Sequence, residues 1–160
     1  MDKLKILVIQ DENLFLQDSH DEVFTEFYLS VGDVCFPHIG WTDFTETVLQ
    51  WWATEIINMR FAINHSTRLY FMDGPYWLDV FKDDKMELKI GCISFRGKKD
   101  VAELTVACSY VEFLQALLKA IEQFMDILHT SYQEKQAERY FGPHFAKLRN
   151  QIRDIIIEES

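Results

Sequence analysis

Five histidines (His20, His38, His65, His129, His144) and three cysteines (Cys35, Cys92, Cys108) are the metal-binding residue types in this 160-residue chain. Adjacent carboxylate pairs such as Asp11/Glu12, Asp21/Glu22 and Asp83/Asp84 are the groups that could move a proton. A zinc site takes ligands at short fixed spacings, and no Cys-x-x-Cys or helical His pair occurs. Acid–base catalysis needs two carboxyls held apart in a cleft with split pKa values. Adjacent acids on a strand point to opposite faces, and Asp83/Asp84 suits a hairpin turn. There is no nucleophile elbow and no phosphate-cradling glycine loop. We assign no catalytic residue, no metal ligand and no cofactor, and expect no enzymatic activity. The odd number and wide spacing of the cysteines, all among apolar residues, read as free buried thiols.

Two other features carry information about binding. Residues 6–59 contain ten acids and not one Lys or Arg, within a chain of formal net charge −10. Nucleic acid and anionic membrane surfaces are disfavoured partners, because phosphate neutralisation needs a basic stripe. A single-sign field instead speeds association with a basic protein. Asp11, Glu12, Asp21, Glu22, Glu26 and Asp33 are the acids expected to form that face; Asp43 is expected to cap a helix. Residues 35–52 hold three of the four tryptophans. Trp41, Trp51 and Trp77 are candidates for an aromatic pocket, which makes a small-ligand-binding domain the alternative reading.

The elements that must position these residues follow from periodicity and turn chemistry. The branched run 4–10 reads as a strand, a turn at 11–13 follows, and 22–31 reads as a second strand resuming at 34–36. Asp43 with Glu46 forms a capping box for a helix over 43–60. Phe44, Val48, Trp51, Trp52, Ile56 and Met59 are its apolar face, broad enough to take both adjacent tryptophans. Strands at 67–72, 76–81, 86–95 and 101–108 make a meander, with Asp73-Gly74 as the first hairpin turn. Gly91 marks a bulge or a close contact within the third of these strands. Ser109 with Glu112 opens a long helix to about residue 130, and Ser131 with Glu134 signals a second start. Gly142-Pro143 ends that piece and begins a final helix bearing Phe145, Leu148, Ile152 and Ile155. The sum is a single α+β domain over 1–160: an antiparallel sheet of about six strands packed on the long helix and the Trp-rich helix.

The stretches F-P-x-x-G-W-x-D-F, at residues 36–44, and F-M-D-G-P-Y, at residues 71–76, flank the Trp-containing helix. This pattern resembles small bacterial proteins that include candidate immunity proteins of polymorphic toxin systems. The likeness covers residues 36–76 and brings no active site with it. It implies a bacterial protein that neutralises a toxin by binding it. A cytoplasmic location is expected from the short apolar N-terminal run, the lack of any 20-residue apolar stretch, and the cysteine pattern.

Overall fold

The computed structural model describes residues 3–10, 24–131 and 134–160. The fold is α+β, and its strands form two antiparallel sheets of four instead of the single sheet of about six expected from the sequence. In the first sheet β1 (Leu4–Ile9) pairs with β2 (Phe24–Val31). The other side of β2 is shared end to end by two short strands, β3 (Val34–Phe36) and β4 (Thr42–Phe44). The chain then leaves the sheet through helix α1 (Thr45–Asn58). The second sheet is the meander β5 (His65–Tyr70), β6 (Tyr76–Lys82), β7 (Glu87–Arg96) and β8 (Lys99–Ser109). Alternation identifies strands but not their partners, so the division made by α1 is invisible to periodicity.

Both sheets turn one face to a continuous core. Leu4, Ile6, Val8, Phe27 and Leu29 come from the first; Leu69, Leu78, Val80, Leu88, Ile90 and Cys92 come from the second. Helix α2 (Tyr110–Ser131) supplies Phe113, Leu114, Leu117, Ile121, Phe124 and Leu128 to that core. Its start is as the sequence requires: the Glu112 N–H donates to Ser109 Oγ at 3.0 Å. Helix α3 runs unbroken from Glu134 to Glu159, through Gly142-Pro143. The expected break does not occur. Proline removes one helical hydrogen bond, and beyond it Phe145, Leu148, Ile152 and Ile155 are buried, with Phe145 5.7 Å from Phe124. Burial of four such side chains outweighs one lost bond. The turn expected at 11–13 and the second helix start at Ser131/Glu134 fall on residues outside the described ones or on side chains outside them.

At the far end of α1 the Arg60 guanidinium reaches Glu158 at 2.7 Å and Glu159 at 2.8 Å, tying α1 to the end of α3. Two α1-proximal carbonyls are taken from below. Tyr110 donates its hydroxyl to Ile56 O, and buried Lys82 donates to Ala62 O at 2.6 Å.

The two sheets are joined at a polar node inside an aromatic seam. Asp43, in β4, is fully buried. Its carboxylate accepts from Trp41 Nε1 at 3.1 Å, Phe44 N at 2.7 Å and Asp73 N at 3.3 Å. It is therefore not the helix cap expected from the capping-box pattern. α1 starts two residues later, with no side-chain cap. The Asp73 N–H that a tight hairpin would use is turned toward Asp43. The β5–β6 link is wider than a two-residue turn, closed by Phe71 N donating to Tyr76 O at 3.2 Å. Gly74 sits in that link at φ +71°, and a Cβ there would meet the Trp41 ring at 2.8 Å. Only glycine accepts both the backbone angle and the close approach.

Burial raises the Asp43 pKa above the ordinary value of 3.8, although all three donors oppose the shift. The folded protein thus holds this proton more tightly than the unfolded chain. Stability linked to the group is complete below pH 3.8 and falls as pH rises through the folded pKa. Asp43→Ala strands the Trp41 and Asp73 donors and should lower unfolding free energy by about 2–4 kcal/mol in urea titrations. Against Asp43→Asn, the stability advantage of the wild-type chain should narrow as pH climbs through the same window.

Candidate partner-binding surface

Helical geometry separates the two adjacent tryptophans by about 100°. Trp52 is fully buried, and its Nε1 donates to Tyr70 O at 2.8 Å. Trp51 is 47% exposed. The expectation that one broad apolar face takes both is corrected: the core accepts Trp52, and Trp51 looks out. It looks onto the edge of β5. Trp51, Trp52 and Glu55 of α1 form one wall of an open groove of about 470 Å³, and Thr67 to Tyr70 form the other. A second hollow of about 440 Å³ continues along β5 past Ser66, Thr67 and Arg68 to Asp79 and Phe81.

The walls are chemically distinct. On the α1 side the Glu55 carboxylate accepts from Thr67 Oγ1 at 3.0 Å. Among the described residues no Lys or Arg pairs with it. On the outer face of the sheet the Arg68 guanidinium is neutralised by Asp79 at 3.1 Å and lies 5.0 Å from the Trp77 ring. Tyr70 packs beside Trp77 at 6.3 Å and stays half exposed.

The three tryptophans of the expected aromatic pocket contact three different neighbourhoods. Trp41 meets Tyr76 at 5.1 Å and His38 at 5.2 Å, edge to face, in the seam between the sheets. Trp51 lines the α1–β5 groove. Trp77, with its indole N–H buried and unpartnered, lies under Arg68 and Tyr70.

Of the acids expected to form one face, Asp11, Glu12, Asp21 and Glu22 lie outside the described residues. Glu26 is half-buried on β2, its Oε1 over Gly40, where an added Cβ would come within 3.2 Å. Asp33 is exposed in the β2–β3 turn. Five residues of extended strand, from Glu26 to Val31, and then the turn hold these two apart, with roughly 17 Å covered by the strand alone. The structure does not bring them together. Glu55, absent from the expected set, is the acid that stands in a groove beside an exposed ring. Its signal in the sequence was its place four residues after Trp51 on the same helix, which puts the two side chains side by side.

Among the described residues no three His, Cys, Asp or Glu side chains group as metal ligands. His38 bonds its neighbour's carbonyl, Ile39 O, at 2.9 Å, and Asp43 is spent on the seam. The cysteines are all free. Cys92 and Cys108 are buried, and burial pushes both thiols up to about 12, so neither is a thiolate at neutral pH. Cys35 is half-buried; the expectation of burial fails there because β3 is a three-residue edge strand. With Ellman's reagent the native protein should react at Cys35 alone, and Cys35→Ser should abolish the native signal. Denaturant should release the two buried thiols. Rapid native reaction of more than one thiol would contradict the packing of β7 and β8.

Helix α2 and the other described helices include none long and apolar enough to cross a membrane. No family model, no curated protein and no solved structure matches the chain.

Proposed function

We propose that this chain is a non-enzymatic module that binds a basic protein, in the manner of an immunity protein that neutralises a toxin domain. The observation that carries the reading is Trp51. A ring of that size, 47% exposed beside a carboxylate that no Lys or Arg pairs with among the described residues, is the kind of anchor that protein interfaces use. Half of its surface remains to be covered, and a cation from a partner would satisfy both the ring face and Glu55.

The charge of the chain supports the same reading. A net charge of −10 raises the encounter rate with a cationic partner and keeps copies of the chain apart. The resemblance of residues 36–76 to candidate immunity proteins adds a biological setting in which such binding would be the whole activity. Part of that pattern is used structurally: Phe36, Trp41, Asp43, Phe71, Gly74 and Tyr76 all meet in the seam. The small-ligand alternative has less support, since its three tryptophans contact separate neighbourhoods and the Trp51 groove is open along its length.

The immobilised chain should capture a basic protein at low salt and release it at high salt. Reversal of the early acids, Asp21→Lys with Glu22→Lys and Glu26→Lys, should weaken capture by about tenfold or more and flatten its salt dependence. Capture that ignores both salt and charge reversal would end the proposal.

A further inference from the structure

Among the described residues the two sheets have five edge strands: β1, β3 and β4 in the first, β5 and β8 in the second. An open edge invites pairing with another chain, and folded proteins blunt it with short strands, bulges, charges or a covering element. β3 and β4 have three residues each. β1 carries Lys5, follows directly on Lys3, and packs against α2. β8 carries Lys99, Asp100 and Glu103, and Glu103 is the extra residue of a bulge opposite Cys92/Ile93. β5 has six residues, no proline and no bulge, and its one charge, Arg68, is held by Asp79.

The hydrogen-bond phase of β5 shows which groups the edge offers. Phe71 bonds to Tyr76, and pairs that do so alternate along an antiparallel ladder. Leu69, Thr67 and His65 therefore face β6, while Tyr70, Arg68 and Ser66 turn their backbone groups outward. The Trp52 indole donating to Tyr70 O confirms the phase independently. Among the described residues no hydrogen bond reaches the outward groups of Ser66 and Arg68.

We propose that the open edge of β5 takes up an extended segment of a partner protein as a fifth strand, with basic and apolar side chains in alternation. This deepens the protein-binding reading and rests on it. The alternation follows from the two walls. A strand laid along β5 turns successive side chains to opposite faces. Those on the α1 side meet Trp51 and Glu55, a ring face and a carboxylate that no cation pairs with among the described residues, and want Lys or Arg. Those on the other side meet Tyr70, Phe81 and the neutralised Arg68, and want an apolar group. The groove and the hollow beyond it share Thr67 and Arg68, so the path is continuous past Ser66 and Arg68 and ends at Tyr70, whose outward carbonyl the Trp52 indole already fills.

The probe is a synthetic octapeptide alternating Lys and Val, set against its Glu–Val counterpart, titrated into the full chain by amide NMR. The Lys–Val peptide should shift the Ser66, Arg68 and Tyr70 amides and the Trp51 indole, and the Glu–Val peptide should leave them unmoved. Ser66→Pro removes one outward donor without touching the ladder, and Trp51→Ala removes the ring; each should weaken binding by about tenfold. If Ser66→Pro does not fold, Trp51→Ala and Glu55→Gln, both on the exposed flank of α1, carry the same test. Equal binding of both peptides, shifts confined to other strands, or a dimer that Ser66→Pro disperses would overturn the assignment. A basic protein captured as tightly by Trp51→Ala and Ser66→Pro as by wild type sinks the edge and leaves protein binding standing. Loss of all salt-dependent capture sinks the reading beneath it.

Discussion

A carboxylate without solvent has to be surrounded by donors, and that demand at Asp43 organises the middle of this protein. Its three donors come from its own strand, from the Trp41 loop and from the link between β5 and β6. The link belongs to one sheet and the loop to the other. Satisfying one buried charge therefore brings together two sheets that share no backbone ladder. The pKa is still raised, which says that desolvation outweighs the three hydrogen bonds. Such a group is a costly way to hold a fold together but a specific one, because any other approach of the two loops leaves a buried charge partly unsatisfied.

Around that node the contact is aromatic. Phe36, Phe71, Tyr76 and Trp41 meet at centroid distances between 5.1 and 5.8 Å, mostly edge to face. Phe27 and Trp52 extend the cluster toward α1, with Trp52 5.2 Å from Phe71. Edge-to-face pairs have preferred angles, so the seam fixes the tilt of one sheet on the other as well as their separation. It also places α1. Because Trp52 must reach both Phe27 and Phe71, the helix is pressed against the inner flank of β5, and its next residue round, Trp51, is left overlooking that strand's edge.

The parts legible from sequence are those fixed by neighbours along the chain. The strands of the meander, the buried stripe of α2 and its Ser109 cap all follow from local period and local hydrogen bonding. The errors lie where a distant partner decides. Asp43 has the right spacing to Glu46 for a capping box, yet three donors, one of them from thirty residues away, outcompete the helix end. Asp73-Gly74 has the chemistry of a tight hairpin, yet the same carboxylate draws the Asp73 amide out of it. Gly142-Pro143 reads as a stop, yet the apolar stripe after it continues onto α2 and the helix follows the stripe. Trp51 and Trp52 are alike as residues; only the position of the second sheet determines which is core. The site suffered most, because Glu55 looked like any exposed helical acid until β5 was set beside it.

The same logic bears on how charge acts here. The early stretch is acidic throughout, but of its described acids Asp43 is consumed internally, and Glu26 and Asp33 sit at opposite ends of β2. Diffuse negative charge of that kind attracts a cationic partner from a distance without telling it where to land, since screened fields fade within about 10 Å at ordinary salt. Landing needs short-range features: a ring face, a carboxylate that no cation among the described residues pairs with, and the outward backbone groups of Ser66 and Arg68. Those three coincide along β5. A partner would thus be recruited by the whole chain's charge and oriented by one strand edge. The two contributions are physically separable: added salt weakens the first, while the backbone bonds of the second are nearly indifferent to it.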